Sequence, residues 1–404
     1  MAQTALPSAE TRRGVVVAVL GSVQILSWGS TFYLLAVLAK PITAETGWPY
    51  DRVMAGLALG LLVAGMVSPR VGRGISRHGG RFVLAGGAFL IAAGLVVIGT
   101  AQHFAVYLAG WAILGAGMGA NLYDAAFSTL GSLYGRSARS AMTAVTLFGG
   151  FASTVCWPLS AFLVEHLGWR GACWTYAGIH LGISLPLCLA VLPSARRAAT
   201  ADASEAVAPA AAALPGERVV FIVLAAVLTL AAAILSLMSS QLIILLQGAG
   251  LDLSQAVALG MIIGPAAVGA RFIEMLAGGR YHPIWTMVAS VMLVLCGVAL
   301  FFAGPPAFAF AIAIYAGGNG IGSIAKGTLP LTLFGAARYP VLMGKLALPV
   351  LFAMSLAPYV GALSFQLGGT RATLALVSVI AVANVLLVAA LFALTRAGRA
   401  EHGA

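Results

Sequence analysis

Apolar residues run through this chain in blocks of about twenty, and polar residues collect in the short gaps between the blocks. A bilayer-spanning helix needs roughly 20 such residues. Hydropathy predicts spans near 14–38, 53–69, 82–101, 104–130, 141–164, 171–193, 219–246, 254–277, 284–303, 306–331, 344–364 and 372–395. The other spanning solution, a closed β-barrel, shows alternating polarity in segments of about ten residues. Stretches such as 82–101 are apolar on every face, which excludes it. The expected fold class is an all-α membrane protein of twelve transmembrane helices. Residues 194–217 break the pattern with Ala, Pro, Ser and both charge signs. They read as a flexible linker between a first six-helix bundle, 1–193, and a second, 218–404.

The two halves look duplicated. Ala58-Leu59-Gly60 recurs as Ala258-Leu259-Gly260, and Gly117, Gly135, Pro158 and Gly168 recur as Gly317, Gly335, Pro358 and Gly368. All are offset by 200, and the gap Gly168-Trp169-Arg170 answers to Gly368-Gly369-Thr370-Arg371. Parallel six-helix repeats around a midplane site are a known transporter architecture.

Composition adds the solvent. Of 404 residues, 61% are hydrophobic and 8% charged, against about 25% charged in a soluble domain. Lipid must wet most of this surface. The net charge of +11 does not point to nucleic acid, because the basic residues sort by loop. With the N-terminus inside, the cytoplasmic segments hold Arg12, Arg13, Arg70, Arg73, Arg77, Arg81, Arg136, Arg139, Arg196, Arg197, Arg218, Arg280, Arg338, Lys345, Arg396 and Arg399. The outer loops hold only Lys40, Arg52, Arg170 and Arg371. Sixteen against four places both termini in the cytoplasm of an inner-membrane protein. The polar first thirteen residues precede an apolar run without a small-residue cleavage site, so an uncleaved first span is expected. Cys156, Cys173, Cys188 and Cys296 lie in apolar segments without metal-ligand spacing.

The loop after the second span reads Gly72-Arg73-Gly74-Ile75-Ser76-Arg77-His78-Gly79-Gly80-Arg81. With Gly47-Trp48 and the Gly168-Trp169-Arg170 turn, it resembles the major facilitator superfamily over essentially the whole chain. Gly72, Arg77, Gly79 and Arg81 fit the family's cytoplasmic latch signature, while Ser76 stands where the family has Asp. The resemblance implies a weaker latch in the outward-facing state. Drug/proton antiporters of the superfamily carry an Arg in the fourth span and a glycine pattern in the fifth. Here the fourth-span region begins Trp111-Ala112-Ile113-Leu114-Gly115, and the fifth offers only Gly149-Gly150 and Trp157-Pro158. The chain looks more similar to the oxalate/formate and monocarboxylate branch, whose members place an Arg in the eighth span.

Four ionisable residues fall inside spans: Asp124, Arg271, Glu274 and Lys326. Each would cost about 2.5–3.5 kcal/mol facing lipid at mid-bilayer, so they are expected to pair or to line a wet cavity. Asp124 and Lys326 are near pseudo-equivalents. The resemblance implies that the first, fourth, seventh and tenth spans line the pathway, so the pair would face each other across it. A carboxylate beside an ammonium can exchange a proton for a substrate anion; the plainer alternative is a salt bridge that closes one end. Arg271 and Glu274 are three apart and share a helix face. That spacing suggests an anion-binding guanidinium tuned by a carboxylate. However, Gly278-Gly279-Arg280 repeats Gly79-Gly80-Arg81, so snorkelling or a degenerate latch accounts for Arg271 as well.

Neutral polar residues fill out the expected cavity: Gln24, Trp28 and Tyr33 on the first span, Asn121 and Tyr123 on the fourth, Gln241 on the seventh, Asn319 and Ser323 on the tenth. Such residues also serve helix packing in membranes. His180 reads as a satisfied core histidine. No phosphate loop, metal cluster or catalytic triad is present in the sequence, so no cofactor, no metal and no enzymatic activity are expected. The resulting expectation is a monomeric secondary transporter working by alternating access on a small organic anion, with protons coupled through Asp124. Proton-antiport efflux of a drug, toxic compound or metalloid is the alternative.

Overall fold

The computed structural model describes residues 9–193, 216–276 and 280–400, and all regular structure among them is helical. Most of the expected linker 194–217 and the Gly278-Gly279 repeat lie outside the described residues. Glu217, read as the last linker residue, instead opens the helix Glu217–Gly248.

Ten helical stretches are long and apolar enough to cross a bilayer. Two of them, Ala138–Val191 with 54 residues and Tyr339–Arg396 with 58, have more than twice the roughly 20 residues one crossing needs. Each is interrupted at glycine: Gly168 has φ 70° and ψ 173°, and Gly369 has φ 63° and ψ −156°. A side chain at either position is strained by its positive φ. Each stretch therefore supplies two spans and the bundle has twelve, with the interruptions where the 200-residue repeat places them.

The fifth and sixth spans divide at Gly168, the eleventh and twelfth at Gly368-Gly369. The remaining spans are Ala9–Gly29 with Leu34–Thr46, Tyr50–His78, Gly80–Thr100, Phe104–Asn121 with Tyr123–Tyr134, Glu217–Gly248, Leu253–Gly260 with Ile263–Leu276, Pro283–Leu300 and Phe308–Phe334.

Four spans are broken, the first, fourth and eighth and also the fifth at Phe151, and irregular backbone within a bilayer survives only where its polar groups find protein partners or a wet cavity. In the first span the turn at 30–33 is held by hydroxyls bonding back along the chain: Ser30 donates to the Leu26 carbonyl at 2.8 Å and Thr31 to that of Ser27 at 2.5 Å. In the fourth span the break falls at Leu122. The Asn121 carbonyl at that break accepts the Gln24 amide at 2.7 Å; the Asn121 side chain accepts from Ser27 at 2.6 Å and donates to Leu84 O at 2.7 Å. Three spans of the first bundle are thereby stitched at one depth.

At the end of the bundle opposite the termini, Arg170 follows Gly168 and gathers three segments. It donates to the Gly99 and Ala101 carbonyls at 3.0 and 2.8 Å, pairs with Glu45 at 2.9 Å, and lies over the Trp169 ring. There too the eighth span starts with a capping box, in which Asp252 accepts from the Gln255 N–H at 2.8 Å and the Ser254 hydroxyl at 2.7 Å. These donors hold the exposed Asp252 carboxyl below its ordinary range.

The two bundles meet mainly at the end that carries the termini. One apolar core runs across both halves there, including Leu130, Met142, Leu329, Tyr339 and Leu346. A separate core, with Leu242, Ile312 and Val377, stays within the second bundle. The second span packs on the eleventh through glycines: a Cβ on Gly72 would overlap the Pro340 carbonyl, and one on Gly344 the Ser68 carbonyl. Small residues permit this approach. Among the described residues, the first span makes no extensive contact with the second bundle. Packing between the bundles is concentrated in the terminal half.

Candidate functional site

Where the bundles meet, three ties made by charged side chains cross between them, beside the Ser355 hydroxyl on the Ala58 carbonyl at 2.8 Å and the Tyr339 hydroxyl on Met142 Sδ at 3.9 Å. The first joins the fourth and tenth spans: Lys326 Nζ lies 2.7 Å from Asp124 Oδ1, with the side chains 24% and 14% exposed. The pairing expected from sequence is therefore present and lies in the half where the bundles pack together. An apolar seal adjoins it on the terminal side. Phe127 fills the space beside Gly327, and the buried Tyr339 donates its hydroxyl to the Gly327 carbonyl at 2.6 Å.

The second tie joins the fifth and eighth spans near the terminal end. Arg139 Nη2 reaches Glu274 Oε1 at 3.2 Å, and Arg139 Nη1 reaches the Tyr281 carbonyl at 2.5 Å. Glu274 also accepts from Thr286 at 2.8 Å. This corrects the expectation that Glu274 tunes Arg271. The two share a helix, but Glu274 is taken up by Arg139 and Thr286.

The third tie is Arg271 itself. Its Nη1 donates to the Thr146 carbonyl at 3.1 Å and its Nε to the Gly320 carbonyl at 3.2 Å. No carboxylate pairs with it among the described residues. Tyr123 also points its hydroxyl at the Thr146 carbonyl, at 3.4 Å. Two glycines make this convergence possible. A Cβ on Gly149 would overlap the Tyr123 hydroxyl, and one on Gly150 would lie 2.5 Å from Arg271 Nη1. The fifth span thus offers a bare helix surface on which a phenol and a guanidinium meet one carbonyl. Gly150→Ala is accordingly expected to push Arg271 off Thr146 and weaken ligand binding about tenfold, a loss of ~1.4 kcal/mol, read by titration calorimetry. Unchanged affinity would show that Arg271 does not need this surface.

Tyr33 and Tyr123 lie within electrostatic reach of Arg271, and further rings adjoin them. Trp28 lies 5.1 Å from Tyr123 and 6.3 Å from Tyr33 between ring centroids, and Tyr33 lies 6.0 Å from Trp157. Thr146 and Gly150 stand at i and i+4 on one face of the helix Ala138–Gly150; Trp157 follows the break at Phe151, on the helix that starts at Ala152. On the tenth span, Asn319, Ser323 and Lys326 share a face at i, i+4 and i+7. Asn319 and Ser323 bond to carbonyls of their own helix at 3.0 and 2.7 Å and remain partly exposed.

Other expected site residues lie elsewhere. Gln24 and Asn121 are 0% exposed and engaged in closing the break of the fourth span. Gln241 is buried against the eleventh span, donating to the Pro358 carbonyl at 3.4 Å. These three amides are packing groups in this arrangement, not cavity ligands. His180 is buried as expected and bonds Ser30 at 2.7 Å, but only one ring nitrogen is satisfied, since its Nδ1 has no hydrogen-bond partner among the described residues. Of the latch residues, Gly72 touches the eleventh span, and Gly79 ends its helix with φ 76°. Arg77 and Arg81 have no acidic partner among the described residues; Arg81 stacks on its neighbour Phe82. The charge that holds this end closed is supplied by Arg139 and Glu274 instead.

A sequence profile described as Major Facilitator Superfamily matches residues 20–337, well over half of the chain. The chain belongs to the major facilitator superfamily. Solved structures show the same fold over nearly the full length. The human organic anion transporter MFSD10 (TETRAN) superposes with a TM-score of 0.71 at 16% identity, covering 93% of this chain and 99% of that one. The E. coli fucose:proton symporter FucP, in its outward conformation, gives 0.71 at 13%, covering 94% and 99%. The proton:xylose symporter XylE, bound to 6-bromo-6-deoxy-D-glucose, gives 0.70 at 12%, covering 94% and 95%. No curated protein matches the sequence. As a major facilitator, the chain is an integral membrane protein and a secondary transporter of small molecules.

Sequence reasoning missed Arg139, Thr146 and the role of Gly149-Gly150. Arg139 was counted among loop charges because it stands at the start of a span. The repeat held a signal, since 139 and 339 are pseudo-equivalent and Tyr339 also closes the terminal end. Thr146 acts through its backbone, which no residue type announces.

Proposed function

We propose that this transporter moves a small organic anion across the cytoplasmic membrane by alternating access, coupled to protons. The observation that carries the reading is the charge balance within the spans. Lys326 is neutralised by Asp124 and Glu274 by Arg139, which leaves Arg271 held by two neutral carbonyls. A guanidinium bonded only to carbonyls gains from exchanging one for a carboxylate, because charge-assisted bonds are roughly twice as strong. The eighth-span Arg271 also supports kinship with the oxalate/formate and monocarboxylate branch. Residues 1–193 and 218–404 are the moving halves of a monomer, joined by the linker 194–217. With sixteen basic residues against four, the termini lie in the cytoplasm, so the end where the bundles pack together faces inward.

The mechanism follows from the ties. An anion entering from outside takes Arg271 from the Thr146 carbonyl and removes one link between the fifth and eighth spans. A proton added to Asp124 neutralises the carboxylate and frees Lys326, removing the link between the fourth and tenth. With both released, the gate loses its two ties at the Arg271 and Asp124 level and keeps Arg139–Glu274, the Ser355–Ala58 bond, the apolar core and the glycine crossing, and the halves can rock about the loaded site. Titration calorimetry on the purified protein tests the reading: small carboxylates are expected to bind, and sugars and organic cations of the same size are not. Binding confined to cations or neutral toxic compounds would replace this proposal with efflux.

A further inference from the structure

The groups around Arg271 define the kind of anion, given the anion reading above. A dicarboxylate needs a second cation at the moment of binding, and Lys326 is held by Asp124 at 2.7 Å until that carboxylate takes its proton. A polyol acid needs amides and hydroxyls along its length, but Gln24, Asn121 and Gln241 are buried and bonded within their own bundles. Among the described residues, beside the guanidinium stand a set of rings and, on the tenth span, only Asn319 and Ser323 as neutral polar groups, both already bonded to carbonyls of their own helix. Trp28 packs on Tyr123 at 5.1 Å with its plane tilted 47°, and Tyr33 meets Trp157 edge-on at 6.0 Å and 89°. The first span adds Phe32, 5.6 Å from Trp28.

These rings differ from the aromatic residues that serve only as core. Tyr107, Trp111, Trp169 and Tyr176 are 2% exposed or less. Trp28, Phe32, Tyr33 and Tyr123 are only partly buried, and Trp157 is 45% exposed. Trp157 stands on the helix that follows the break at Phe151 and meets Tyr33 of the first span, which is itself within electrostatic reach of Arg271. The Tyr33–Trp157 contact carries the ring cluster from the reach of Arg271 to the fifth span. Aromatic pairs in offset or edge-to-face geometry gain beyond the area they bury.

We infer that the substrate is a monocarboxylate with a flat aromatic body, its carboxylate on Arg271 and its ring among Trp28, Tyr33 and Trp157. The Tyr123 hydroxyl, already aimed beside Arg271 at the Thr146 carbonyl, supplies the second donor to the carboxylate.

Titration calorimetry of the purified full-length protein, with benzoate against cyclohexanecarboxylate, isolates the ring, since both acids have similar size and charge. Benzoate is expected to bind about tenfold more tightly, benzene-1,4-dicarboxylate more weakly, and neutral benzamide not measurably. Trp28→Leu and the more exposed Trp157→Leu are each expected to reduce the preference for benzoate while leaving cyclohexanecarboxylate bound. Equal affinity for the two acids, or a preference that survives in both variants, overturns the aromatic assignment and leaves the anion reading standing. If no carboxylate binds in an Arg271-dependent way, the anion reading itself fails, and this inference with it.

Discussion

Arg271→Ala is expected to weaken carboxylate binding about 100-fold in titration calorimetry, with the protein still folded and monodisperse. The size follows from losing two charge-assisted hydrogen bonds of about 1.5–3 kcal/mol each, partly offset by water. The protein should survive because the carbonyls left behind are not stranded. Thr146 O keeps Tyr123 as a donor at 3.4 Å, and its fifth-span helix continues through Gly150. Arg271→Lys retains the charge but not the fork that spans Thr146 and Gly320, so an intermediate loss is expected. Because the same side chain ties the fifth span to the eighth, the Ala variant should also open more readily at the terminal end. Cysteine accessibility in the Phe127–Tyr339 region reads that opening. Loss of folded protein without a change in affinity would assign Arg271 to structure alone.

Asp124→Asn is expected to abolish transport driven by a pH gradient while preserving exchange of labelled substrate for unlabelled. The amide copies the protonated acid in shape but cannot cycle its proton. It also leaves Lys326 without its counter-charge. Removing one partner costs about 3–5 kcal/mol in a fully buried pair and about 0–1 kcal/mol in an exposed one. With side chains 14% and 24% exposed, this pair falls between those limits. The variant should therefore favour the state in which the terminal end is open. Adding Lys326→Gln removes the stranded charge and should restore closure without restoring pH dependence. An Asp124→Asn protein whose transport still follows the pH gradient removes Asp124 from coupling and leaves it a gate residue.

The spans were legible because lipid as solvent leaves few alternatives: a block apolar on every face can only be a buried or spanning helix. The reversals at Gly168 and Gly369 were legible because the same punctuation recurs 200 residues later. The Asp124–Lys326 pair was legible for an electrostatic reason, since opposite charges in apolar surroundings must find each other. The partner of Glu274 was not. Its spacing from Arg271 satisfied the helix-face rule, but Arg139 on the facing span reached it first. Gln24 and Asn121 were misassigned because the break at Leu122 carries no Pro or Gly to mark it. Only with the break in view does Asn121 present a freed carbonyl that needs the Gln24 amide. The latch signature was recognised by its glycines, but without Asp at position 76 its arginines bridge nothing among the described residues.

The most direct test of proton-coupled anion transport is internal pH in proteoliposomes containing the purified protein, challenged in turn with small carboxylates, neutral solutes and cationic drugs. A pH change that appears with carboxylates only, and disappears in both Arg271→Ala and Asp124→Asn, is the predicted result. A pH change driven by cationic or neutral compounds, with carboxylates silent, would contradict it.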